Sequence, residues 1–171
     1  KKLAEGKLVG WVQGRGEFGP RALGNRSILA DPRSKDMKDK INSRVKFREE
    51  FRPFAPSILE EYGPDYFENY QNTPYMDRTL NFRPEVVDKV PAVVHSNSSG
   101  RLQSVKKDLN PKYHDLISEF QKLTGIPILL NTSFNVMGKP IVHSFNDALM
   151  VFLNSGLDVL VVNDYIFEKG K

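Results

Sequence analysis

The sequence predicts an α/β fold. Short apolar runs bounded by Gly, Pro, Asn or Asp alternate with capped amphipathic helical patterns. The C-terminal third reads helix, strand, helix, strand, strand. A hydrophobic content of 39%, with 11% aromatic residues, is enough for a real core, and 171 residues fit one domain.

Taken in order, Lys1–Gly6 looks like the last turn of a helix, closed by Gly6. Lys7–Gln13 reads as a strand between Gly6 and Gly14, and Ser27–Ala30 as a second, stopped by Asp31-Pro32. Met37, Ile41 and Val45 recur at i, i+4 and i+8, which predicts a helix over 35–46 with Ser34 as its N-cap. Pro53 and Pro56 exclude a central strand through the whole of 51–59, although Ser57–Glu60 could pair after the second proline. Tyr62–Tyr70 is a short helix or a turn, Tyr75–Phe82 has strand composition, and Pro84–Val94 fits no single element. Asn97–Gly100 is a loop and Arg101–Lys106 alternates like a strand. Asn110-Pro111 starts a helix with the stripe Leu116, Ile117, Phe120 and Leu123, closed by Gly125. Ile126–Leu130 is an apolar strand that leads into a polar loop, Asn131–Asn135. Ser144 and Asp147 form a capping box for a helix through Leu153, and Asp158–Val162 and Tyr165–Glu168 are the last strands.

Composition narrows the function classes. There is no cysteine, which excludes a disulfide scaffold, a thiolate metal site and a thiol nucleophile. His95, His114 and His143 are scattered, so a metal site built from this chain is not expected. The longest apolar run, Ala148–Leu153, is far short of a membrane span, no signal-peptide core opens the chain, and a cytoplasmic location is the default expectation. The first residue is not methionine, which points to a piece cut from a longer protein. Residues 1–56 hold 14 Lys and Arg against 7 Asp and Glu, whereas the rest of the chain is slightly acidic. A basic first third favours an anionic partner: a nucleotide, an acyl phosphate or nucleic acid.

Three stretches could carry chemistry. Residues 14–31 interleave Arg15, Arg21 and Arg26 with Gly14, Gly16, Gly19 and Gly24. Glycine permits close backbone approach and arginine matches phosphate or carboxylate oxygens, so an anion-binding loop is one reading and a surface loop of solvated arginines the other. Asn131, Thr132, Ser133 and Asn135 offer uncharged donors at the end of a buried strand, or simply a hydrogen-bonded turn. Lys46, Arg48 and Arg52 cluster at the end of the helix over 35–46. Arg101, alone after Gly100, reads as a surface residue, and Lys38–Lys40 as part of a solvated face.

These blocks together carry a resemblance. Gly14-Arg15-Gly16-Glu17-Phe18-Gly19-Pro20-Arg21-Ala22-Leu23-Gly24-Asn25-Arg26-Ser27-Ile28 closely resembles a motif of the NodU-type carbamoyltransferases. So do Lys46-Phe47-Arg48 with Phe51-Arg52-Pro53-Phe54-Ala55-Pro56, Gly100-Arg101, and Leu130-Asn131-Thr132-Ser133-Phe134-Asn135 leading to Gly138-Lys139-Pro140-Ile141, in the same order. The likeness covers essentially the whole chain and is to the family's C-terminal domain. It implies a YrdC-like fold, a twisted mixed sheet flanked by helices. Gly16 and His143 depart from the pattern, standing where a bulkier and a smaller residue are usual.

The resemblance also implies a reaction: carbamoyl-adenylate is made from ATP and carbamoyl phosphate, releasing phosphate and pyrophosphate. A separate N-terminal domain, which holds its own metal, passes the carbamoyl group to an acceptor hydroxyl. Mg²⁺ is expected with ATP. The likeness assigns Lys46, Arg52, Arg101 and Ser133 to catalysis, and Arg21, Arg48, Asn131 and Asn135 to nucleotide binding. Arg15, Arg26 and Arg48 are also placed to brace the loop through carboxylates such as Glu17 or Glu49. The rival expectation is a non-catalytic module that binds a nucleotide or RNA. The aromatic-plus-basic alternation of single-stranded RNA binders is missing, which disfavours nucleic acid.

Overall fold

The computed structural model describes residues 1–49 and 52–169. Among the described residues nine strands form in order: β1 (Val9–Val12), β2 (Arg26–Ala30), β3 (Ala55–Leu59), β4 (Leu80–Asn81), β5 (Ser99–Gly100), β6 (Gln103–Val105), β7 (Ile128–Ser133), β8 (Val159–Val162) and β9 (Tyr165–Glu168). Seven build one mixed sheet in the order β6-β3-β7-β2-β1-β8-β9, while β4 and β5 pair separately. The helices are α1 (Met37–Ile41), α2 (Gly63–Tyr66), α3 (Pro111–Thr124) and α4 (Phe145–Asn154).

The two long helices cover opposite faces of the sheet. α3 packs on β3 and β7, α4 on β1 and β8. Val161 and Ile166 form a cross-strand pair and share a groove with Leu116 of α3. Their neighbours Leu160 and Phe167 face the other way, where the Phe167 ring lies 5.9 Å from Phe145 of α4. Between the layers Leu8, Ile28, Leu29, Ile58, Leu129 and Tyr113 are fully buried.

Local chemistry sets the ends of both helices. The Asn110 side chain accepts from Tyr113 N at 3.2 Å, and Gly125 ends α3 in the left-handed region (φ 76°). In α4, Ser144 Oγ accepts from Asp147 N while Asp147 Oδ2 accepts from Ser144 N at 2.8 Å, the reciprocal capping box.

Several elements differ from the sequence expectation. Ser34 does not cap α1 through its side chain; Asp36 is the N-cap residue, and Met37 N donates to the Ser34 carbonyl at 3.2 Å. The helix over 35–46 changes character at Asn42: Asn42–Lys46 is a π-helical turn, ended by Phe47 in the left-handed region (φ 50°). Tyr75–Phe82 contributes only the two residues of β4. Asn131, Thr132 and Ser133 are strand, not loop, because β7 is paired on both sides: Ser133 with Ser27 of β2, and Asn131 with Ala55 of β3.

Pro56 lies inside β3. Leu59 N donates to the Pro127 carbonyl on the β7 side, so alternation turns the Pro56 nitrogen toward β6. There pairing begins only at Ser57, and no ladder bond is lost.

Candidate anion-binding site

The glycine–arginine stretch connects β1 to β2, and its shape is fixed from inside. Glu17 Oε1 accepts from the backbone N–H of Leu23 (2.9 Å), Asn25 (2.8 Å) and Arg26 (3.3 Å). Arg26 is 6% exposed and donates to the carbonyls of Gln13 and Asn25, both at 2.8 Å, and of Gly14 and His143. The bracing of Arg26 therefore runs through backbone carbonyls rather than a carboxylate. Arg15 and Arg21 are left exposed.

Gly24 closes the loop against α3. Its φ is +100°, and a Cβ there would stand 2.2 Å from Tyr113 Cδ1. Gly16 and His143, the two departures from the family pattern, meet: a Cβ on Gly16 would lie 3.0 Å from His143 Nδ1. The small residue at one position leaves space for the large one at the other.

Arg21 then faces Arg48, Arg101, Thr132 and Ser133 across a cavity of about 90 Å³, roughly the liquid volume of three waters. No carboxylate lines it among the described residues. Arg48 is held by its Nε donating to Asn42 Oδ1 at 3.1 Å and by its guanidinium lying 4.7 Å from the Phe54 ring centroid. Its pKa is lowered by burial first and by Arg52 second, with Glu49 opposing. Arg101 follows β5; its pKa is lowered by burial and then by Arg21, and its buried Nε has no hydrogen-bond partner among the described residues. Buried donors are normally satisfied, so this one points to an absent acceptor.

Lys46 stands one hydrogen bond behind the cavity. The π-helical turn buries it to 3% exposure. Its Nζ donates to the Ser133 carbonyl at 2.5 Å, Asn135 Oδ1 at 2.7 Å and the Asn135 carbonyl at 3.1 Å, with Ser133 Oγ at 3.3 Å. Ser133 Oγ donates to Asn135 Oδ1 at 2.8 Å. Burial, and secondarily the charge of Arg48, bring the Lys46 pKa down to about 7.

The remaining candidates sit elsewhere. Arg52 is on the far side of Pro53, pairing with Glu49 at 3.0 Å and lining a larger cavity of about 650 Å³ with Lys38 and His95. Asn131 is 1% exposed and lies beneath the cavity, where its Nδ2 is within bonding distance of the Ala22 carbonyl (3.1 Å), Ser57 Oγ (3.0 Å) and Gln103 Oε1 (3.1 Å). Asn135 touches Lys46 and Ser133 and is absent from the cavity wall. The sequence reads Lys38 as part of a solvated face and His95 as one of three scattered histidines, whereas the fold brings both to the wall of the larger cavity. The only signal for His95 was its position in the Ser/Asn-rich loop just before Gly100-Arg101.

The pattern of the family described as "Carbamoyltransferase C-terminus" matches residues 1–169. The chain belongs to this family. Among the relatives of this carbamoyltransferase C-terminus domain is Nodulation protein NolO of Bradyrhizobium diazoefficiens, 50% identical over 170 residues that make up 98% of this chain and 31% of that protein. Nodulation protein NolNO of Sinorhizobium fredii is 51% identical over 98% of this chain and 25% of its own length. Nodulation protein U of Rhizobium tropici is 46% identical over 98% and 28%. The chain thus spans 25–31% of the length of these relatives. A crystal structure of full-length HypF in the phosphate- and nucleotide-bound form superposes with a TM-score of 0.60 at 16% identity, over 98% of this chain and 21% of that one, a likeness of fold.

Proposed function

We propose that this domain forms carbamoyl-adenylate from ATP and carbamoyl phosphate on behalf of an O-carbamoyltransferase. Membership of the carbamoyltransferase C-terminus family supports carbamoyl transfer as the overall activity. The observation that carries the adenylate-forming step is the cavity of three guanidiniums, Arg21, Arg48 and Arg101, with Ser133 in its wall and no carboxylate among its described lining residues. Such a cluster is self-repelling and is stabilised by an anion of high charge. Both substrates are polyanions that must be brought together against their own repulsion.

The atoms balance if one water is consumed. Water cleaves carbamoyl phosphate to carbamate and phosphate; a carbamate oxygen then attacks the α-phosphorus of ATP, and pyrophosphate leaves. Arg21, Arg48 and Arg101 hold the phosphate oxygens and meet the negative charge that grows on the leaving group, while Ser133 orients the bound anion. Lys46 acts through Ser133 and Asn135 as a positioning residue, and Asn131 supports the floor. Arg52 serves the neighbouring cavity. Guanidiniums and hydroxyls fit phosphate oxygens and do not fit a metal ion, so Mg²⁺ arrives on ATP and no step runs through it. Among the described residues no three His, Asp or Glu stand close enough to hold a metal, and none of the described helices is long and apolar enough to cross a membrane. Transfer to the acceptor hydroxyl falls to a separate N-terminal domain, for which the greater length of the relatives leaves room.

The deciding experiment is pyrophosphate release by the purified chain supplied with ATP, Mg²⁺ and carbamoyl phosphate. Release that depends on carbamoyl phosphate, and that falls about 10²–10³-fold in Arg101→Ala, supports adenylate formation. Saturable ATP binding without release would place the domain among non-catalytic nucleotide-binding modules.

A further inference from the structure

The cavity beyond Pro53, about 650 Å³, lies in the size range of small-ligand pockets. Its titratable and charged walls are Lys38 of α1, Arg52, and His95 of the loop before β5; none of the described residues lining it is a carboxylate. Lys38 Nζ donates to the Val94 carbonyl at 2.8 Å and is held below its ordinary pKa by burial, with Asp39 opposing. Arg52 is paired with Glu49 at 3.0 Å, so Asp39 and Glu49 are the acidic groups that act on this cluster among the described residues.

His95 is built into the wall in a defined tautomer. Its Nδ1 lies 3.3 Å from Ser99 Oγ, and the single Ser99 hydroxyl proton is donated to Asn97 Oδ1 at 2.7 Å. Ser99 therefore accepts from the ring, Nδ1 carries the proton, and Nε2 keeps its lone pair with no partner among the described residues. Burial first, then the charges of Lys38 and Arg101, hold the imidazole below its ordinary pKa.

We propose that this cavity takes a di- or triphosphate group and that His95 gains a proton at Nε2 when it fills, donating that proton to a phosphate oxygen. The inference rests on the nucleotide reading given above and adds to it a second anion subsite with its own proton switch. An arriving polyphosphate offsets the charges of Lys38, Arg52 and Arg101 and supplies the acceptor that Nε2–H needs. The proton comes from solvent, and no covalent bond changes.

The test is an NMR pH titration of the purified chain, isotope-labelled at histidine and arginine, free and with saturating inorganic pyrophosphate or Mg-ATP. The chain has three histidines, and the His95 signal is assigned by its loss in His95→Gln, or by elimination with His114→Gln and His143→Gln if that variant does not fold. Expected are a His95 midpoint below the ordinary histidine value in the free chain and a rise of about one pH unit or more on saturation, with Lys38→Gln raising the free-chain midpoint. The readout is specific to the imidazole, so Lys46 does not contribute to it. Binding that perturbs the Arg21, Arg48 and Arg101 side-chain signals but leaves the His95 midpoint in place overturns this inference and leaves the nucleotide reading standing. If neither ligand perturbs any signal at millimolar concentration, both readings fall.

Discussion

Lys46 is the residue whose surroundings constrain it most. An ammonium buried to 3% exposure with no carboxylate partner recorded for it is a costly arrangement, relieved only by neutral acceptors on Ser133 and Asn135. Its folded pKa, about 7, is well below its value in the unfolded chain. The unfolded state therefore binds more protons between pH 7 and about 10.4, so stability rises with pH across that window and levels off below pH 7, where Lys46 is protonated in both states. Lys46 alone contributes at most about 1.4 kcal/mol per pH unit. Lys46→Met should flatten the slope of thermal stability between pH 7 and 9, and melting curves at constant ionic strength check this; an unchanged slope would falsify the account of Lys46 as a depressed, buried amine. Sequence alone offered a structural reason for Lys46, a cation at a helix end, and the resemblance a functional one. Neither foresaw its burial, because that depends on strand β7 arriving from 87 residues away.

At the level of elements, glycines in the connection between β1 and β2 resist substitution for two different reasons. Gly24 combines a φ of +100° with a Tyr113 ring 2.2 Å from where a Cβ would stand, whereas Gly19 has a φ of +92° with nothing within 4 Å. The pair separates backbone strain from overlap. Gly19→Ala should cost about 1–2 kcal/mol. Gly24→Ala must also displace a fully buried ring, and should cost about 3 kcal/mol or more, lowering the melting temperature by roughly 6–12 °C. Equal losses in the two variants, measured by chemical denaturation, would show that Tyr113 yields freely. The same loop shows what was legible in the sequence. Glycine spacing and the capping signals at Asn110 and Ser144 are local, so they were readable. The π-helical turn over Asn42–Lys46, the pairing of Asn131–Ser133 and the tolerance of Pro56 depend on neighbouring strands and longer-range packing, so composition misassigned or missed them.

Across the whole molecule, the basic first third meets its counterparts only through the sheet. Arg21 and Arg48 come from that third, Arg101 follows β5, and Ser133 ends β7, a strand near the middle of the sheet order. One ligand at this site must therefore touch segments far apart in sequence. Hydrogen–deuterium exchange tests that convergence directly. Saturating Mg-ATP should slow exchange in the backbone around residues 21–24, 46–48, 99–103 and 131–135 together. The distant edge pair β8–β9 should be left as it was, since it lies at the opposite end of the sheet from β3 and β6. At a ligand concentration one hundred times Kd the stabilisation should reach about 2.7 kcal/mol, a rise in melting temperature of roughly 5–11 °C for a chain of this size. Added salt should shrink that rise by screening the guanidinium contacts. Protection limited to residues 14–31 would mean that the glycine–arginine stretch binds the anion alone. The cavity in the structure would then owe its arginine cluster to packing rather than to a shared ligand.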